Sequence, residues 1–304
     1  MVFTGSPGKS SEGSLILMNH RTRLDWLFYF SYELRYGTIT RGKIILKSLL
    51  KNIPGPGWAM QCAIFLFLHR RWEMDKPLIS RVLRYFRNLD YRPQILLFPE
   101  GTDLTETTRA RSDEFARKEN LLSYQHVLHP RTTGFVYMAK KMMKGNGLGH
   151  VTDITIAYPQ NLCQNETDLI AGNFPREIHF HMTSHPISGL DTSEQGLSDW
   201  CQKIWLEKEK RLQDFYGGTK TFTQTNSTGD HSPANSRTLQ INLYMYAALI
   251  FWTWFNVASI VLLLYSSLFR WYAFLCSLIF FLIGYCCDGV DMFQANLANG
   301  AQVS

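Results

Sequence analysis

Cysteine is scarce in this 304-residue sequence, and the few cysteines present are not grouped. The six stand at positions 62, 163, 201, 276, 286 and 287, without the C-x-x-C spacing of zinc sites. They also lack the density of a secreted disulfide framework. The distribution therefore argues against a cysteine-rich metal module and favours a reducing compartment.

The amino-terminal residues lack the apolar core of a secretory signal peptide. Residues 1–14 are polar and rich in Gly and Ser, and the apolar stretch that follows, 15–18, is far too short. A phosphate-binding loop is excluded as well, because Phe3 stands where such a loop ending in Gly8-Lys9 needs its first glycine. We predict a flexible leader over residues 1–14.

Charge is nearly absent from the last quarter of the chain, where only Arg270, Asp288 and Asp291 are charged beyond Arg237. The net charge of the chain is +6, so the basic excess lies in the first three quarters, which should prefer anionic partners. Nucleic acid fits that charge too, but no zinc module, aromatic-basic run or long basic helix supports it. We predict no nucleic-acid partner.

Two long apolar runs occupy this uncharged region, at 243–265 and 268–287. Each matches the roughly 20 residues needed to cross a membrane, so we predict a transmembrane hairpin over 241–287 and a tail over 288–304. Buried core helices are the alternative. The basic flank before Arg237 predicts that the globular part faces the cytosol. Residues 217–240, rich in Gly, Thr, Ser and Asn, read as a linker.

The first part of the chain alternates between strand-like and helix-like segments. Short apolar runs at 15–18, 62–68, 94–98 and 151–158 suit buried strands, and segments 109–125 and 198–215 have helical apolar spacing. This alternation predicts an α/β domain over residues 15–216, with helices covering a sheet.

The segment Asn19-His-Arg-Thr-Arg-Leu-Asp25 lies where the first apolar strand ends and a helix begins. With a helix start near Thr22, the Asp25 carboxylate lies about one turn in and reaches back to one nitrogen of His20. The other nitrogen would then be a general base for an attacking alcohol. A helix-capping histidine beside an acid is the alternative.

Two further segments place polar residues after apolar strands. Phe98-Pro-Glu100-Gly101-Thr102 predicts a sharp turn exposing a carboxylate and backbone amides at a ligand-binding sheet edge, or an ordinary strand-ending turn. Arg70, after Leu66-Phe-Leu-His69, is a candidate phosphate ligand. Its alternative is surface pairing of Arg70 and Arg71 with Glu73 and Asp75.

Two other patterns predict surface features. Lys43, Lys47 and Lys51 recur every four residues beside apolar residues, which indicates a basic amphipathic helix on a membrane surface or a solvated helix. The three histidines of 178–185 alternate with apolar residues and favour a half-exposed strand over a metal site. We predict no metal.

These blocks in this order resemble the glycerolipid acyltransferase family, typified by acylglycerophosphate acyltransferases. The resemblance covers residues 15–160 and includes Ile156-Ala-Tyr158-Pro159, assigned only to the acyl or acceptor pocket. Residues 46–58 and 129–135 point to the lysocardiolipin acyltransferase branch. The family fold implies a central mixed sheet flanked by helices, here followed by the transmembrane hairpin.

The resemblance implies an acyl-CoA:lysophospholipid O-acyltransferase for lysocardiolipin, lysophosphatidic acid or lysophosphatidylinositol. His20 would be the base, Asp25 its charge partner and Arg70 a phosphate ligand, while Glu100, Gly101 and Thr102 would hold the acceptor. Acyl-CoA would be a co-substrate, with no other cofactor. The implied location is the endoplasmic reticulum membrane, including its mitochondria-associated part, with several spans and a cytosolic catalytic domain.

Family members usually carry a hydrophobic segment upstream of the histidine block, and fewer than twenty residues precede His20 here. A catalytically silent, shortened isoform that binds lipid or scaffolds partners at a membrane is therefore the competing hypothesis. A hydrolase using the same histidine and aspartate is disfavoured, because the sequence has no Gly-x-Ser-x-Gly elbow.

Overall fold

The structure, a computed structural model, describes residues 1–9, 11–36, 39–145, 147–222 and 235–300, with the backbone alone for 235–241. The chain divides into two compact units. The first contains Met1–Ile45 and Arg70–Gly229, and the second contains Leu46–His69 and Asp230–Ser304. The sequence predicted a single domain over residues 15–216. Within that range, residues 46–69 belong instead to the unit that holds the apolar hairpin.

A mixed β-sheet is the centre of the first unit, as the family resemblance implied. Its strands follow the order β1-β7-β6-β2-β5-β3, with β6 and β7 antiparallel and the other described pairs parallel. The strands are β1 (Val2–Ser6), β2 (Ser14–Met18), β3 (Gly42–Lys47), β5 (Gln94–Leu97), β6 (His150–Ala157) and β7 (His179–Pro186). β4 (Leu66–Leu68) belongs to the second unit.

Three parallel strands, β2, β5 and β6, lie side by side and are buried along their whole length. The mostly apolar sequences of β2 and β5 suit strands covered on both faces, whereas β6 also buries four polar residues, His150, Thr152, Asp153 and Thr155. Ser14 of β2 is aligned with Gln94 of β5 and with His150 of β6, so the three strands start level. Their carboxyl ends therefore meet at one edge of the sheet, where α/β proteins bind ligands.

Helices of the first unit complete the core. They are α1 (Asp25–Tyr36), α3 (Trp72–Asn88), α4 (Glu106–Lys118), α5 (Thr132–Met143), α6 (Glu166–Ile170) and α7 (Glu194–Gly217), with a 3₁₀ turn at Ile187–Gly189. Helix α7 packs against α5 and β6. It buries Trp205 completely, and with it the ammonium of Lys208, which pairs with the buried Asp153 of β6.

The second unit is mostly helical. It holds a 3₁₀ helix (Ser48–Asn52), α2 (Pro56–Cys62), α8 (Asn235–Tyr265), α9 (Ser267–Cys287) and α10 (Val290–Gly300). Two of its segments, Asn242–Tyr265 and Ser267–Cys287, are long and apolar enough to cross a membrane, with mean hydropathy of 2.0 and 1.7. Neither is buried against protein, which fits the predicted hairpin and argues against buried core helices.

The turn between α8 and α9 explains a charge in an otherwise apolar region. Ser266 accepts a hydrogen bond from the Phe269 amide and so caps α9. The Arg270 guanidinium donates to the carbonyls of Leu263 and Leu264 at 3.2 and 3.0 Å. Arg270 therefore satisfies carbonyls at the carboxyl end of α8 that have no partner within the helix.

The prediction of a flexible leader over residues 1–14 is wrong for part of that segment. Val2–Ser6 form β1, which pairs in parallel with His179–Thr183 of β7. Phe3 stacks on Phe180 with ring centroids 5.2 Å apart, so a residue from a polar sequence anchors the strand. The partner strand lies some 180 residues away in the chain, and local composition carries no sign of it.

The basic amphipathic helix predicted around Lys43, Lys47 and Lys51 is also wrong. Lys43 and Lys47 lie on β3, and the strand pairs with β5 through Gly42, Lys43 and Ile44. Lys51 lies in the 3₁₀ helix that follows. The β-branched Ile44 and Ile45 favour a strand, and this preference prevails where spacing alone suited a helix.

The bounds of several other helices and strands differ from those predicted from the sequence. The strand expected over 62–68 is limited to β4, because Cys62 is the last residue of α2. Helix α4 begins and ends earlier than the predicted 109–125, and α7 exceeds 198–215 at both ends. Residues 178–185 are largely strand, as predicted. His179 and His181 are buried, however, so the prediction that this strand is half-exposed was wrong at these two residues.

Most of the predicted linker lies outside the described residues. Residues 290–300 of the predicted tail form α10.

Candidate active site

Loops that follow β2, β5 and β6 come together at the carboxyl edge of the sheet. Asn19, the first residue after β2, ties the first of these loops to β6, because its side chain both donates to and accepts from the backbone of Ile156 at 3.1 and 2.8 Å. This buried amide extends the pairing of β2 and β6 by one position. It thereby fixes the residue that follows, His20, at the end of the strand.

His20 and Asp25 are in direct contact, as the sequence spacing predicted. Nδ1 of the imidazole lies 3.0 Å from Oδ2 of the carboxylate. The Asp25 side chain is fully buried, whereas 16% of the His20 side chain is exposed. The pair thus has a buried acid and an imidazole that solvent or a ligand reaches.

The Asp25 carboxylate is the most heavily hydrogen-bonded group of the site. Oδ2 accepts the backbone amides of Arg21 at 2.6 Å and Thr22 at 2.9 Å, besides the imidazole contact. Oδ1 accepts the hydroxyls of Thr22 at 3.2 Å and Tyr158 at 2.6 Å. Five donors on one buried group hold the carboxylate in a fixed orientation.

Helix α1 begins at Asp25 itself, later than the start near Thr22 that we expected. Asp25 is therefore the first residue of the helix rather than one turn inside it. The carboxylate folds back over the turn between β2 and α1 and satisfies its amides. A negative charge at a helix amino terminus is also favourable toward the helix dipole.

The hydrogen bond to Asp25 decides which ring nitrogen of His20 carries the hydrogen. A carboxylate only accepts, so Nδ1 of the neutral ring holds the hydrogen and Nε2 keeps a lone pair. The ring stacks on Phe98 with centroids 4.2 Å apart, which restricts its rotation. The arrangement presents Nε2 as a base in a fixed orientation.

Glu100 does not expose its carboxylate, and that expectation was wrong. The side chain is buried; Oε1 accepts the His20 amide and the Trp205 indole, both at 3.3 Å, and Oε2 accepts the Leu128 amide at 3.2 Å. Burial raises the pKa of Glu100 to about 8, against the effect of these hydrogen bonds and of Lys208. The geometry makes Glu100 a support for the His20 backbone rather than a surface ligand.

Gly101 and Thr102 remain on the outer side of the same turn. Gly101 has φ +75°, a conformation that L side chains rarely adopt, and its amide donates to the Phe98 carbonyl at 3.0 Å. The Thr102 hydroxyl donates to the Asp103 carboxylate at 3.2 Å. Both residues are partly exposed, so a ligand at this edge has access to them.

Arg70 lies near a second arginine, Arg131, that the sequence did not single out. Partial burial lowers the pKa of Arg70, and Arg131 lowers it further, while Asp103 acts in the opposite direction. Arg131 itself adjoins the turn, since a Cβ on Gly101 would lie 3.9 Å from its Cδ. Two neighbouring guanidinium groups form a place for an anion.

Asp75, one of the two acids in the alternative of surface pairing by Arg70 and Arg71, accepts the backbone amide of Arg71, at 3.1 Å, near the start of α3. Arg70 has φ +61°, an uncommon conformation for a residue with a side chain. Backbone conformations of that kind concentrate at functional sites.

The sequence did not identify Tyr158 and Arg131 as individual site residues, although both lie in segments that carry the family resemblance. Tyr158 was assigned to a substrate pocket, yet its side chain is buried and its hydroxyl contacts Asp25. An aromatic hydroxyl in place of an aliphatic side chain was the available signal. Arg131 was the one charged side chain within residues 130–135, next to a proline.

No group of three or more His, Cys, Asp or Glu side chains suited to a metal ion occurs among the residues that the structure describes. His179 and His181, considered for that role, contact aromatic rings instead. His179 lies edge-on to Phe215, and His181 is tilted against Phe222, with centroid distances of 5.2 and 5.4 Å.

Comparison with known proteins adds two kinds of match. A family model described as Acyltransferase matches residues 3–159, and another described as Acyltransferase C-terminus matches residues 168–253. The chain is 47% identical over 272 residues to lysocardiolipin acyltransferase 1 of Gallus gallus, which covers 90% of this chain and 71% of that protein.

Two more relatives extend the comparison. Lysocardiolipin acyltransferase 1 of Mus musculus is 44% identical over 284 residues, covering 93% of this chain and 74% of the relative. Lysophosphatidylinositol acyltransferase 10 of Caenorhabditis elegans is 47% identical over 206 residues, covering 67% and 53%.

Proposed function

This chain belongs to the glycerolipid acyltransferase family, and from that premise we propose that it is an acyl-CoA:lysophospholipid O-acyltransferase with His20 as general base. The observation that carries the proposal is the 3.0 Å contact between His20 and the buried Asp25, at the sheet edge that also bears Arg70 and Arg131. A base of fixed orientation beside a cationic pair suits an alcohol that carries a phosphate.

In the proposed reaction, Nε2 of His20 removes the proton from the acceptor hydroxyl as its oxygen attacks the thioester carbonyl. The ring becomes an imidazolium, whose charge the Asp25 carboxylate stabilises through Nδ1. The carbon–sulfur bond then breaks, and the imidazolium returns the proton to the leaving CoA sulfur. Atoms and charge balance without a covalent enzyme intermediate.

The acceptor phosphate would bind between Arg70 and Arg131. Guanidinium groups donate paired hydrogen bonds to phosphate oxygens, and an anion between them relieves their mutual repulsion. Gly101 and Thr102 line the same edge and would contact the glycerol. The proposed acceptors are lysocardiolipin, lysophosphatidylinositol and lysophosphatidic acid, which share a phosphate next to a free hydroxyl.

The apolar helices α8 and α9 support a membrane location, which a lipid substrate requires. We assign the endoplasmic reticulum membrane, including its mitochondria-associated part, with the first unit in the cytosol. The assignment of sides rests on the basic residues before Arg237.

The test uses the full chain in phosphatidylcholine vesicles with labelled acyl-CoA and each of the three lysophospholipids in turn. We expect labelled phospholipid from at least one acceptor. We expect His20→Ala and Asp25→Ala to lower turnover by about 100-fold or more, the scale of general-base catalysis. His185→Gln is the matched control, because His185 is aligned with Val151 at the opposite end of β6.

Two results would overturn the proposal. Full turnover in the His20→Ala variant would exclude the base mechanism. Failure of the unaltered chain with every acceptor, together with intact lysophospholipid binding, would favour a catalytically silent protein that binds lipid or scaffolds partners at a membrane.

A further inference from the structure

The second unit contains a segment with almost no charge that is too short to cross a membrane. Between Ser48 and Leu68, the sequence has a single charged side chain, Lys51. The segment forms the 3₁₀ helix Ser48–Asn52 and then α2. It nevertheless exposes large apolar side chains, with Leu49 76% and Ile53 43% accessible. In water, a cluster of this kind is unfavourable.

The one charge of the segment points inward. The Lys51 ammonium lies 3.1 Å from Oδ1 of Asp291, which is 1% exposed, and it donates to the Asp288 carbonyl. Both acceptors follow directly after α9. The outer surface of the segment is thereby left without charge.

A second contact fixes the segment to the residues that follow α9. The Gln61 amide donates to the Lys51 carbonyl at 2.8 Å and accepts from the Val290 amide at 2.9 Å. Gly289, at φ +103°, lies so close that a Cβ would be 2.4 Å from the Lys51 side chain. The position of the segment relative to the end of α9 is therefore specified by several independent contacts.

These contacts give the depth of the segment in a bilayer. Helix α9 has 21 residues, which at about 1.5 Å per residue matches the roughly 30 Å of a hydrocarbon core. Trp58 of α2 stacks on Phe280 of α9, with centroids 5.1 Å apart. Phe280 precedes the helix end at Cys287 by seven residues, or about 10 Å. Trp58 therefore lies about 10 Å below the level at which α9 leaves the hydrocarbon.

We propose that residues 48–63 are embedded in one leaflet of the bilayer, with Leu49, Ile53 and Trp58 in contact with lipid acyl chains. The occupant of the exposed apolar surface is thus hydrocarbon, and the depth given by Trp58 favours it over a protein partner. Helical structure supports this placement, because backbone amides within hydrocarbon need internal partners. The proposal rests on the membrane attachment included in the proposed function.

The test is photocrosslinking in the intact chain. Benzoylphenylalanine replaces Leu49 or Ile53 in protein reconstituted into phosphatidylcholine vesicles, and mass spectrometry after illumination measures the lipid adducts. Phe274, 57% exposed on α9, is the membrane reference, and Lys118, an exposed charged position on α4, is the aqueous reference. Size exclusion first removes any aggregated variant.

We expect lipid adducts at positions 49 and 53 within about threefold of those at 274, and at least tenfold above those at 118. Adducts at 274 with none at 49 or 53 would overturn the embedded segment and leave the spans intact. Crosslinks from 49 and 53 to a second copy of the chain would overturn it in favour of a protein interface. Absence of adducts at all three positions would overturn the spans as well, and with them the proposed attachment.

Discussion

The hydroxyl of Tyr158 donates to Oδ1 of Asp25 at 2.6 Å, inside the protein and on the side of the carboxylate away from His20. Burial raises the pKa of Tyr158 well above 10, and Asp25 raises it further, so the phenol keeps its hydrogen throughout the working pH range. A constant donor on Oδ1 limits how strongly the carboxylate attracts the proton of the imidazole.

Tyr158→Phe is therefore expected to slow turnover while acceptor binding is retained. Without the phenol, the Asp25 carboxylate loses a donor that holds it against Nδ1 of His20, so Nε2 is oriented less exactly toward the acceptor hydroxyl. We expect kcat to fall about tenfold, with the acceptor KM within about twofold of that of the unaltered chain.

Tyr137→Phe provides the matched control, because it removes a hydroxyl that forms an equally short contact, 2.6 Å, with Ser80. A purely structural role of Tyr158 would lower the free energy of unfolding and leave kcat of the folded enzyme in place. An unchanged kcat in Tyr158→Phe would therefore contradict the positioning role.

Glu100→Ala is expected to destabilise the first unit and to leave acceptor binding intact. The change removes the acceptor for the buried donors of His20, Leu128 and Trp205. Each unsatisfied buried donor costs about 1–3 kcal/mol, so we expect a loss of at least about 3 kcal/mol in the free energy of unfolding, measured by denaturant titration. Glu100→Gln keeps one acceptor oxygen and should lose less. A raised acceptor KM with unchanged stability in Glu100→Ala would restore the role of a substrate ligand.

The contrast between Asp25 and Glu100 shows what the sequence of the site could reveal. Asp25 lies five residues from His20, and short spacing together with a strand-to-helix junction was enough to predict their contact. The partners of Glu100, namely Leu128 and Trp205, lie 28 and 105 residues away. A carboxylate after a strand is ordinarily exposed, and only tertiary packing turns this one inward.

The same contrast between local and distant partners separates the parts of the fold that were predicted from those that were missed. The buried strands and the two apolar helices follow from local composition, and their presence was predicted. β1 was missed because its pairing with β7 depends on residues far along the chain. Lys43 was wrongly placed on a helix. Its ammonium lies 5.9 and 5.2 Å from the ring centroids of Phe86 and Tyr91. A lysine that packs against two aromatic rings in this way fits a partly covered strand.

Arg131→Gln and Arg70→Gln are each expected to weaken acceptor binding. Loss of one charged hydrogen-bond donor pair costs about 1.5–3 kcal/mol, which corresponds to roughly 10- to 100-fold in the KM of the lysophospholipid. Turnover at saturating acceptor should change little. Arg131→Lys keeps the charge but loses the paired geometry and should be intermediate. Steady-state kinetics in vesicles give both constants, and an unchanged acceptor KM in both Gln variants would remove the phosphate site from this edge.

The contribution of His181 to stability should fall as the solution becomes acidic. Burial lowers the pKa of His181 from 6.5 to about 4, with Arg211 and Lys208 lowering it further and Asp153 opposing them. Between these two values the unfolded chain binds a proton that the folded chain excludes. The part of the free energy of unfolding that depends on His181 therefore decreases as pH falls from about 6.5 to about 4, by up to about 3 kcal/mol, whereas the raised pKa of Glu100 acts in the opposite direction.

His181→Gln removes the titrating group, measured by denaturant unfolding in detergent at a series of pH values. The difference in the free energy of unfolding between the unaltered chain and this variant should shift by up to about 3 kcal/mol in favour of the variant as pH falls from about 6.5 to about 4. Thr4→Val is the control. The Thr4 hydroxyl lies 3.0 Å from Nδ1 of His181, so its loss weakens the same region, yet the histidine remains. Thr4→Val should therefore be less stable by the same amount at every pH. A pH-independent difference between His181→Gln and the unaltered chain would contradict the role of His181, because the linkage between proton binding and folding requires a slope wherever the folded chain excludes a proton.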